Sequence, residues 1–261
     1  MRVRLVASDL DGTLVREDYT IGARSVAALA RADAVVLVTG RPVRWLYTVY
    51  DHLPIQPLAV VANGAAVYDP VDDKIVHSVP LAPETLVDAC TRLRAAVPGV
   101  RFGVEIDGGR LMRYEPGYEV GGWEIDSTHV HRVEPAELVA RPAAKLLVKA
   151  GRQPPDAFNA LVADVLAGIG EATHSSSSGL VEVSAVGVTK AAGLAWVADR
   201  LGVPAGEVVA FGDMPNDLSM LAWAGLGVAM GNAHPAVLAA ADDVTATNND
   251  EGVAAYLERL L

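Results

Sequence analysis

The first part of the chain alternates short apolar runs with longer segments that are apolar on one side. The runs predict strands at residues 3–8, 34–38 and 58–62, and the amphipathic segments predict helices at about 21–32 and 42–52. Alternating strands and helices are typical of a parallel sheet with helices packed on both faces. The pattern therefore predicts an α/β fold with a Rossmann-like, parallel-sheet core.

The pattern changes after Tyr68-Asp69-Pro70. Within residues 145–149, Leu146 and Val148 alternate with two lysines and a leucine, which predicts a strand with one exposed face. Strands of this kind favour an antiparallel sheet. The Rossmann-like pattern returns after residues 180–183, so the middle of the chain is predicted to form a separate unit.

These changes divide the chain into two predicted domains. Residues 1–79 and 186–261 are expected to form the core, and residues 80–185 an inserted α/β domain. The joints are expected near Val79-Pro80 and Ser184-Ala185, where the chain passes between the two units. A chain of 261 residues is long enough to support this division.

The composition indicates a globular protein without a membrane span. Apolar residues make up 51% of the chain, but their runs are too short to cross a bilayer. The run after Met1-Arg2-Val3-Arg4 is too short for a signal-peptide core, so we expect a soluble, cytoplasmic protein. Cys90 is the only cysteine, which excludes an internal disulfide, and its helical spacing with Leu86 and Leu93 predicts a packing role.

The formal net charge of −11 argues against nucleic-acid binding, which favours a basic surface with interleaved aromatic residues. An acidic protein that binds an anion needs a local positive region. Lys190, Arg41 and Arg44, together with a bound cation, would supply one. We expect no nucleic-acid partner, no membrane partner and no obligate protein partner.

The segment Asp9-Leu10-Asp11-Gly12-Thr13 carries the clearest chemical signal. It directly follows the apolar run Val3–Ala7, so two carboxylates stand where a strand ends and a turn begins. Carboxylates this close repel each other, so a cation, most simply Mg²⁺, is expected between them. The alternative is that Asp9 and Asp11 only cap a turn in which Gly12 supplies backbone freedom.

Three further segments place reactive groups in a similar context. Thr39-Gly40-Arg41 ends an apolar run, and Lys190 opens a helical pattern that continues through Leu201. The acidic segment Gly212–Asp217 follows the apolar run Val208–Phe211. Ligands of open α/β sheets bind outside the carboxyl ends of the strands, so these segments are expected to converge on one crevice.

These four segments, in this order, resemble the motifs of the haloacid-dehalogenase-like phosphatases of the Cof-type branch, subfamily IIB. The resemblance extends to Ala62-Asn63-Gly64-Ala65, Gly231-Asn232-Ala233 and Ala241-Asp242-Asp243-Val244-Thr245. The middle of the chain matches only in length and general pattern. The resemblance implies a Mg²⁺-dependent phosphatase in which the inserted domain is a C2-type α/β cap over the active site.

The resemblance also implies a role for each acidic residue. Asp9 is expected to attack phosphorus and form an aspartyl-phosphate, and Asp11 to protonate the leaving oxygen and then activate water. The expected Mg²⁺ ligands are the Asp9 side chain, the Asp11 backbone carbonyl and Asp213. Asp217 is expected to orient the metal site from outside the ligand set.

A larger set of groups is implied for binding the phosphoryl oxygens. The set comprises Asp9, Leu10, Asp11, Thr39, the Gly40 N–H, Arg41, Asn63, Lys190 and Asn216, of which Thr39 and Lys190 are also expected to be catalytic. Thr39 could instead be a helix N-cap, and Lys190 a solvated residue of a first helical turn. Asn63 could either line the site or adopt the left-handed turn that Asn-Gly favours.

The cap carries no sharp motif for the leaving group. The plausible contacts, each of which also fits a surface position, are Arg113, Trp123, Glu124, His129, His131 and Lys145. His129 and His131 have the spacing to share a metal on one strand face, but no third ligand is evident. The segment Ser175–Ser178 is interpreted as a polar loop, with phosphate binding as its alternative. The resemblance implies a sugar phosphate or a phosphorylated cofactor as substrate.

Two rival functions use the same residues differently. A phosphotransferase or mutase would return the phosphoryl group from Asp9 to a sugar hydroxyl. A non-catalytic phosphosugar-binding regulator would not need an acid/base, so the presence of Asp9, Asp11, Lys190 and Asp213 argues against it.

Overall fold

The protein is represented by a computed structural model, which describes residues 2–121, 128–151, 154–174 and 179–261. In chain order the strands are β1 (Leu5–Ser8), β2 (Val35–Val38), β3 (Ala59–Val61), β4 (Ala66–Asp69), β5 (Lys74–Ser78), β6 (Arg101–Ile106), β7 (Leu111–Tyr114), β8 (Val130–Arg132), β9 (Lys145–Lys149), β10 (Gly170–Thr173), β11 (Val181–Ala185), β12 (Val208–Gly212), β13 (Leu226–Ala229) and β14 (Asp243–Val244). The α-helices are α1 (Ala23–Leu29), α2 (Tyr47–Tyr50), α3 (Pro83–Ala96), α4 (Pro135–Leu138), α5 (Pro155–Val165), α6 (Lys190–Arg200), α7 (Leu218–Trp223), α8 (Pro235–Ala240) and α9 (Gly252–Leu260).

One sheet has eight strands in the order β14-β13-β12-β1-β2-β3-β4-β5. Its strands run parallel from β14 to β3, which confirms the expected α/β class. The last two strands, β4 and β5, run antiparallel, a feature that the alternating pattern did not predict. The short turn at Ala62–Gly64 joins β3 to β4 directly, and a connection this short permits only an antiparallel neighbour.

The segment at residues 42–52 forms less helix than predicted. A 3₁₀ turn at Val43–Trp45 precedes α2, which has only four residues. The sequence of α2 is Tyr-Thr-Val-Tyr, and β-branched and aromatic residues have low helix propensity because the preceding turn restricts their side chains. The prediction of a continuous helix at about 42–52 is therefore wrong.

The other sheet has six strands in the order β10-β11-β9-β6-β7-β8. Its pairs are antiparallel except for β7 with β8. The prediction of an exposed face at residues 145–149 is wrong, because Lys145 and Leu147 are both buried. Lys145 contacts Gly40 at the end of β2, and Leu147 packs with Met112 and Tyr118. This face of the sheet is therefore covered in part by the loop after β2 and in part by residues of the same unit.

Each sheet packs against its own hydrophobic core. The first core includes Leu5, Val36 and Phe211, and the second includes Phe102 and Leu146. Cys90 is buried in the second core, which confirms its predicted packing role. In the part of the chain that the structure describes, every helix is too short or too polar to traverse a lipid bilayer.

Candidate active site

Three loops meet at the carboxyl edge of the eight-stranded sheet. β12, β1 and β2 are adjacent parallel strands, and they end directly before Asp213, Asp9 and Thr39. All three of these residues are buried. The parallel arrangement therefore brings together segments that are far apart in the sequence.

Lys190 lies at the centre of this loop cluster. It begins α6, where the Thr189 hydroxyl accepts a hydrogen bond from the Ala192 N–H at 3.1 Å and caps the helix. The Lys190 Nζ atom donates to Asp9 Oδ1 at 2.6 Å and to Asp217 Oδ1 at 2.5 Å. Its side chain is only 1% exposed, so the alternative of a solvated first-turn lysine is wrong.

The charges around Lys190 do not balance. Carboxylate oxygens of Asp9, Asp213 and Asp217 lie within 4.8 Å of one another, and the three carboxylates, when all are ionised, would leave a net charge of −2 against the one ammonium. Burial raises the pKa of Asp9 well above its ordinary value; Lys190 opposes this effect and Asp217 adds to it. Burial, with the Asp217 carboxylate, raises the pKa of Asp213 to about 7.

This excess of buried negative charge fits a divalent cation. A hard cation such as Mg²⁺ prefers carboxylate and carbonyl oxygens, which are the groups that the cluster supplies. Lys190 is held in its charged form, because the Asp217 and Asp9 carboxylates outweigh the effect of burial and raise its pKa. The lysine therefore offsets only one of the three negative charges that the cluster carries when all of its carboxylates are ionised.

Gly12 and Thr13 determine the contact between the loop after β1 and the Asp213 side chain. Gly12 has φ +76°, and a Cβ atom there would lie 2.3 Å from Asp213 Oδ2, so the position requires glycine. The Thr13 hydroxyl donates to Asp213 Oδ1 at 3.0 Å. Asn232 Nδ2 donates to the Gly12 carbonyl at 2.8 Å, which anchors the same turn from another loop.

Asp217 holds the loop after β12 in place through hydrogen bonds to its backbone. Its Oδ2 atom accepts the backbone N–H groups of Asp213 at 2.9 Å and Met214 at 3.0 Å, while its Oδ1 atom accepts from Lys190. These contacts already engage both oxygens of a fully buried carboxylate. Asp217 thus connects the lysine with the loop that carries Asp213.

The loop after β2 faces Asp11. The Thr39 hydroxyl accepts the Arg41 backbone N–H at 3.0 Å, whereas the following 3₁₀ turn has Pro42 at its N-cap, so the helix N-cap alternative for Thr39 is wrong. The Arg41 side chain donates to both oxygens of Asp11, at 2.7 Å from Nε and 2.5 Å from Nη2. The Asp11 side chain is 56% exposed, in contrast to the buried Asp9.

The left-handed turn predicted at Asn63 is confirmed, and its side chain contacts Asn216. Its backbone is left-handed, with φ 58° and ψ 29°, and its side chain is buried in the site. The Asn63 Oδ1 atom accepts from Asn216 Nδ2 at 3.1 Å, and its Nδ2 atom donates to Glu182 at 3.1 Å. A polar chain of Asn216, Asn63 and Glu182 therefore links the two sheets.

Several residues considered from the sequence lie elsewhere. Arg44 is ion-paired with the buried Glu105 of β6, which occupies its charge. The Leu10 side chain is fully buried in the core, which leaves only its backbone for a phosphate contact. Arg113 pairs with Glu137 at 3.3 Å.

Of the remaining residues considered as ligand contacts in the middle of the chain, some lie among the residues that the structure describes and others lie outside them. His129 is half-buried directly before β8 and His131 is exposed within it, and neither belongs to a group of metal-ligating side chains among the described residues. Trp123, Glu124 and Ser175–Ser178 lie outside the described residues.

Sequence reasoning gave no role to Glu182 or Thr13, although both contact the site. Glu182 lies between Val181 and Val183 in β11, and a carboxylate within a buried apolar strand is a signal that could have identified it. Thr13 belongs to the first motif, but its contact with Asp213 joins residues 200 positions apart and has no local signature.

A family model described as a haloacid dehalogenase-like hydrolase matches residues 6–257. The chain belongs to the haloacid dehalogenase-like hydrolases. The match spans both sheets and all three loops of the candidate site, and it confirms the resemblance seen in the four motifs.

Relatives of this hydrolase include named phosphatases. YitU of Bacillus subtilis (strain 168), a 5-amino-6-(5-phospho-D-ribitylamino)uracil phosphatase, is 30% identical, and the match covers 97% of this chain and 96% of YitU. The crystal structure of TM0651 from Thermotoga maritima has a TM-score of 0.78 at 29% identity and covers 98% of this chain and 97% of TM0651. The subclass IIB sugar phosphatase BT4131 has a TM-score of 0.81 at 23% identity over 99% of each chain, a likeness in fold. These relatives confirm the expected enzyme class, a phosphoric monoester hydrolase.

Proposed function

We propose that the protein is a Mg²⁺-dependent phosphatase that hydrolyses a small phosphorylated metabolite through an aspartyl-phosphate on Asp9. The observation that carries this proposal is the buried Asp9, held by Lys190 beside Asp213 and Asp217 with net negative charge. A carboxylate fixed by one hydrogen bond retains a second oxygen for attack on phosphorus. Such covalent catalysis separates phosphoryl transfer from hydrolysis.

The proposed metal ligands are the Asp9 side chain, the backbone carbonyl of Asp11 and the Asp213 side chain. Asp217, whose oxygens accept from Lys190 and two backbone N–H groups, would orient this set from outside it. Bound Mg²⁺ would neutralise charge on the phosphoryl oxygens as the transition state forms. Thr13 would fix the rotamer of Asp213 through its hydroxyl.

Hydrogen-bond donors to the phosphoryl group are proposed from several loops and from the start of α6. Lys190 supplies an ammonium, Thr39 a hydroxyl, Gly40 and Leu10 backbone N–H groups, and Asn63, Asn216 and Arg41 further polar contacts. Preorganised donors stabilise the charge that develops on the equatorial oxygens. The burial of Lys190 and Thr39 supports this arrangement, because buried donors are not screened by water.

Asp11 is proposed as the general acid and base. Its exposed carboxyl lies at the mouth of the site, where a leaving group and then a water molecule can reach it. The bidentate contact with Arg41 would orient the Asp11 side chain, and Arg41 is proposed to bind a phosphoryl oxygen when substrate enters.

Residues 80–185 are proposed to form the cap that selects the leaving group. The separate hydrophobic core of the six-stranded sheet supports this division, and so does the contact of that sheet with Gly40 and Asn63. The predicted joint at Ser184-Ala185 falls at the last two residues of β11. The proposed substrates are sugar phosphates or phosphorylated cofactors, which agrees with the names of BT4131 and YitU.

Release of inorganic phosphate from a panel of phosphorylated metabolites, with and without Mg²⁺, tests the proposal. We expect Mg²⁺-dependent turnover by the wild type and none above background by Asp9→Asn, because an amide is a poor nucleophile and a poorer metal ligand. Substantial turnover by folded Asp9→Asn would remove Asp9 from its role. Phosphoryl transfer to added sugars in preference to water would favour the mutase alternative.

A further inference from the structure

The turn between β6 and β7, at residues 107–110, has an uncommon backbone. Asp107, Gly108 and Gly109 have φ values of +53°, +66° and +87°, so three consecutive residues are left-handed. An aspartate in this region costs conformational energy that a glycine avoids, so its surroundings must hold it there. Arg141 of the same unit does so in part, by donating to Asp107 Oδ1 at 2.7 Å.

This 107–110 turn packs directly on the backbone that follows β2. A Cβ atom at Gly109 would lie 2.8 Å from the Pro42 Cβ atom and 3.1 Å from the Val43 nitrogen. A Cβ atom at Gly108 would lie 2.6 Å from the Ile75 side chain in β5. The left-handed glycines therefore allow the turn to approach the eight-stranded sheet with no side chain between them.

Two arginines fix the 107–110 turn in this position. Arg44 Nη2 donates to Glu105 Oε1 at 2.9 Å, and its Nη1 atom pairs with Oε2 and donates to the Gly109 carbonyl at 3.1 Å. The side chains of Arg44 and Glu105 are only 6% and 4% exposed, so water screens this bidentate pair little. On the other side of the turn, Arg110 donates to Asp73 Oδ1 at 2.9 Å.

The segment held in this way continues the loop proposed to bind phosphate. In that loop, backbone N–H groups of the turn after β3 donate to the Thr39 and Arg41 carbonyls, each at 3.1 Å. The six-stranded unit contacts the other two residues: a lysine of β9 donates to the Gly40 carbonyl at 2.7 Å, and the 107–110 turn packs on Pro42. Each unit therefore supports alternate residues of the same loop.

We propose that Glu105 and the 107–110 turn, acting through Arg44 and Pro42, position the loop after β2 so that it binds the phosphoryl group. The inference rests on the proposed phosphatase function and goes beyond it, because it gives the six-stranded unit a part in phosphate affinity in addition to the choice of leaving group. Glu105 and Arg44 are positioning residues that do not touch the phosphate. Hydrogen-bond donors displaced by about 1 Å lose much of their effect on a bound group.

The proposal predicts an effect that is independent of the leaving group. Every phosphate monoester presents the same phosphoryl group to the loop after β2, so loss of positioning should weaken all esters and inorganic phosphate alike. A residue that contacts the leaving group would instead change the ratio of kcat/KM between esters. Inorganic phosphate has no leaving group, and its inhibition constant therefore reports on the loop alone.

The test measures Glu105→Gln against wild type in Mg²⁺. Glutamine keeps the shape of the side chain but leaves the buried Arg44 guanidinium without its counter-charge. We expect the inhibition constant of inorganic phosphate to rise about 10-fold, the factor for weakening a hydrogen bond to a charged group. The kcat/KM values for glucose 6-phosphate, glycerol 3-phosphate and phenyl phosphate should fall about 10- to 100-fold, with their ratios unchanged within about twofold.

Glu115→Gln is the matched control. Glu115 is equally buried and ion-paired, but it contacts Arg94 and the Phe102 N–H within the six-stranded unit. We expect a lower melting temperature in both glutamine variants and an unchanged inhibition constant for phosphate in Glu115→Gln. Circular dichroism establishes the folding of each variant at the assay temperature.

Gly109→Ala tests the same contact without changing a charge. The added Cβ would push the turn away from Pro42, and we expect the phosphate inhibition constant to rise here also. Gly99→Ala is its control: φ there is +75°, and no atom of the described residues lies within 4 Å of the added Cβ. The two alanines share the cost of a left-handed backbone, so only the contact with Pro42 distinguishes them.

The double variant Arg44→Gln/Glu105→Gln supplies a neutral pair if Glu105→Gln does not fold. A phosphate inhibition constant within about twofold of wild type, in folded Gly109→Ala or in the folded glutamine variant, would overturn the inference. So would a loss confined to some of the esters, or an equal rise of the inhibition constant in Glu115→Gln. If wild type released no phosphate from any ester, the proposed function would be contradicted, and calorimetric binding of inorganic phosphate would still decide the role of the turn.

Discussion

At the scale of single residues, the site depends on how each carboxylate is held. Asp9 is buried and bonded to Lys190, whereas Asp11, two positions later, is exposed and bonded to Arg41. β1 ends at Ser8, and the turn that follows it directs the two side chains into different surroundings. This difference supports separate roles for Asp9 as nucleophile and Asp11 as acid and base.

The role of Asp11 predicts a specific loss in Asp11→Asn. We expect kcat to fall by about 10²–10⁴, the usual contribution of a general acid or base, because an amide cannot exchange the proton. Mg²⁺ affinity measured by calorimetry should stay near the wild-type value, since the proposed ligand is the backbone carbonyl. A collapse of metal affinity in this variant would make the Asp11 side chain a ligand and refute the division of roles.

The Thr13 hydroxyl predicts a measurable effect on metal binding. Thr13→Val keeps the shape of the side chain but removes the hydrogen bond to Asp213 Oδ1, which measures 3.0 Å. We expect Mg²⁺ to bind about 10- to 100-fold more weakly, the range for losing a group that orients a metal ligand. Thr13→Ser retains the hydroxyl and is the control, so equal weakening in both variants would show that packing at Thr13, and not its hydrogen bond, determines affinity.

At the scale of elements, the turn after β3 sets the position of α6. Gly64 has φ +105°, and a Cβ atom there would lie 2.0 Å from the Thr189 carbonyl oxygen, which directly precedes Lys190. The backbones of the turn and the helix start therefore touch with no room for a side chain. This contact keeps Asn63 and Lys190 on the same side of the site.

Gly64→Ala is accordingly expected to affect both stability and catalysis. We expect a loss of more than about 2 kcal/mol in the free energy of unfolding, because backbone strain and overpacking add, and a reduced kcat from the shift of α6. Gly202→Ala is the control: φ there is +64°, but nothing lies within 4 Å of the added Cβ. Urea unfolding should give about 1–2 kcal/mol for the control, and a Gly64→Ala value no larger would indicate that the close contact relaxes freely.

At the scale of the whole molecule, the two sheets meet at the candidate site. Asp9, Asp213 and Lys190 lie at the edge of the eight-stranded sheet, and Lys145 and Glu182 of the six-stranded sheet contact the neighbouring Gly40 and Asn63. Lys190 and Arg41 are each paired with carboxylates, so binding of an anionic substrate by a chain of net charge −11 would depend on the proposed bound cation.

The acidic cluster predicts that the stability of the metal-free protein falls as the pH rises. The pKa of Asp213 is raised from 3.8 to about 7 on folding, so its contribution is fully present below pH 3.8 and is lost as the pH rises through about 7. Between pH 6 and 8 in EDTA we expect a loss of about 1–2 kcal/mol, detected as a lower melting temperature. Mg²⁺ binds the ionised carboxylates and should reduce or reverse this trend.

Asp213→Asn provides the control for the titration. An asparagine does not ionise, so the decrease in melting temperature between pH 6 and 8 in EDTA should be smaller than in wild type. A wild-type melting temperature that is constant or rises over this interval in EDTA would contradict the assigned direction of the Asp213 pKa.

The sequence alone determined the features that depend on local order. Apolar runs followed directly by Asp9, Thr39 and Asp213 specify strands with reactive ends, because burial of short β-branched runs and exposure of the following turn are local requirements. The order of these motifs was sufficient to indicate the family, which the family match confirms. Parallel pairing then requires the strand ends to meet.

Only the tertiary structure decided which distant side chains touch. The contacts of Lys145 with Gly40, and of Asn63 with Glu182, join residues more than 100 positions apart. The burial of both faces of β9 was not predicted either. Periodicity identifies the apolar face of a strand, but it does not show that another part of the chain covers the opposite face. Burial of charged groups depends on partners brought together by the fold, and no local pattern encodes those partners.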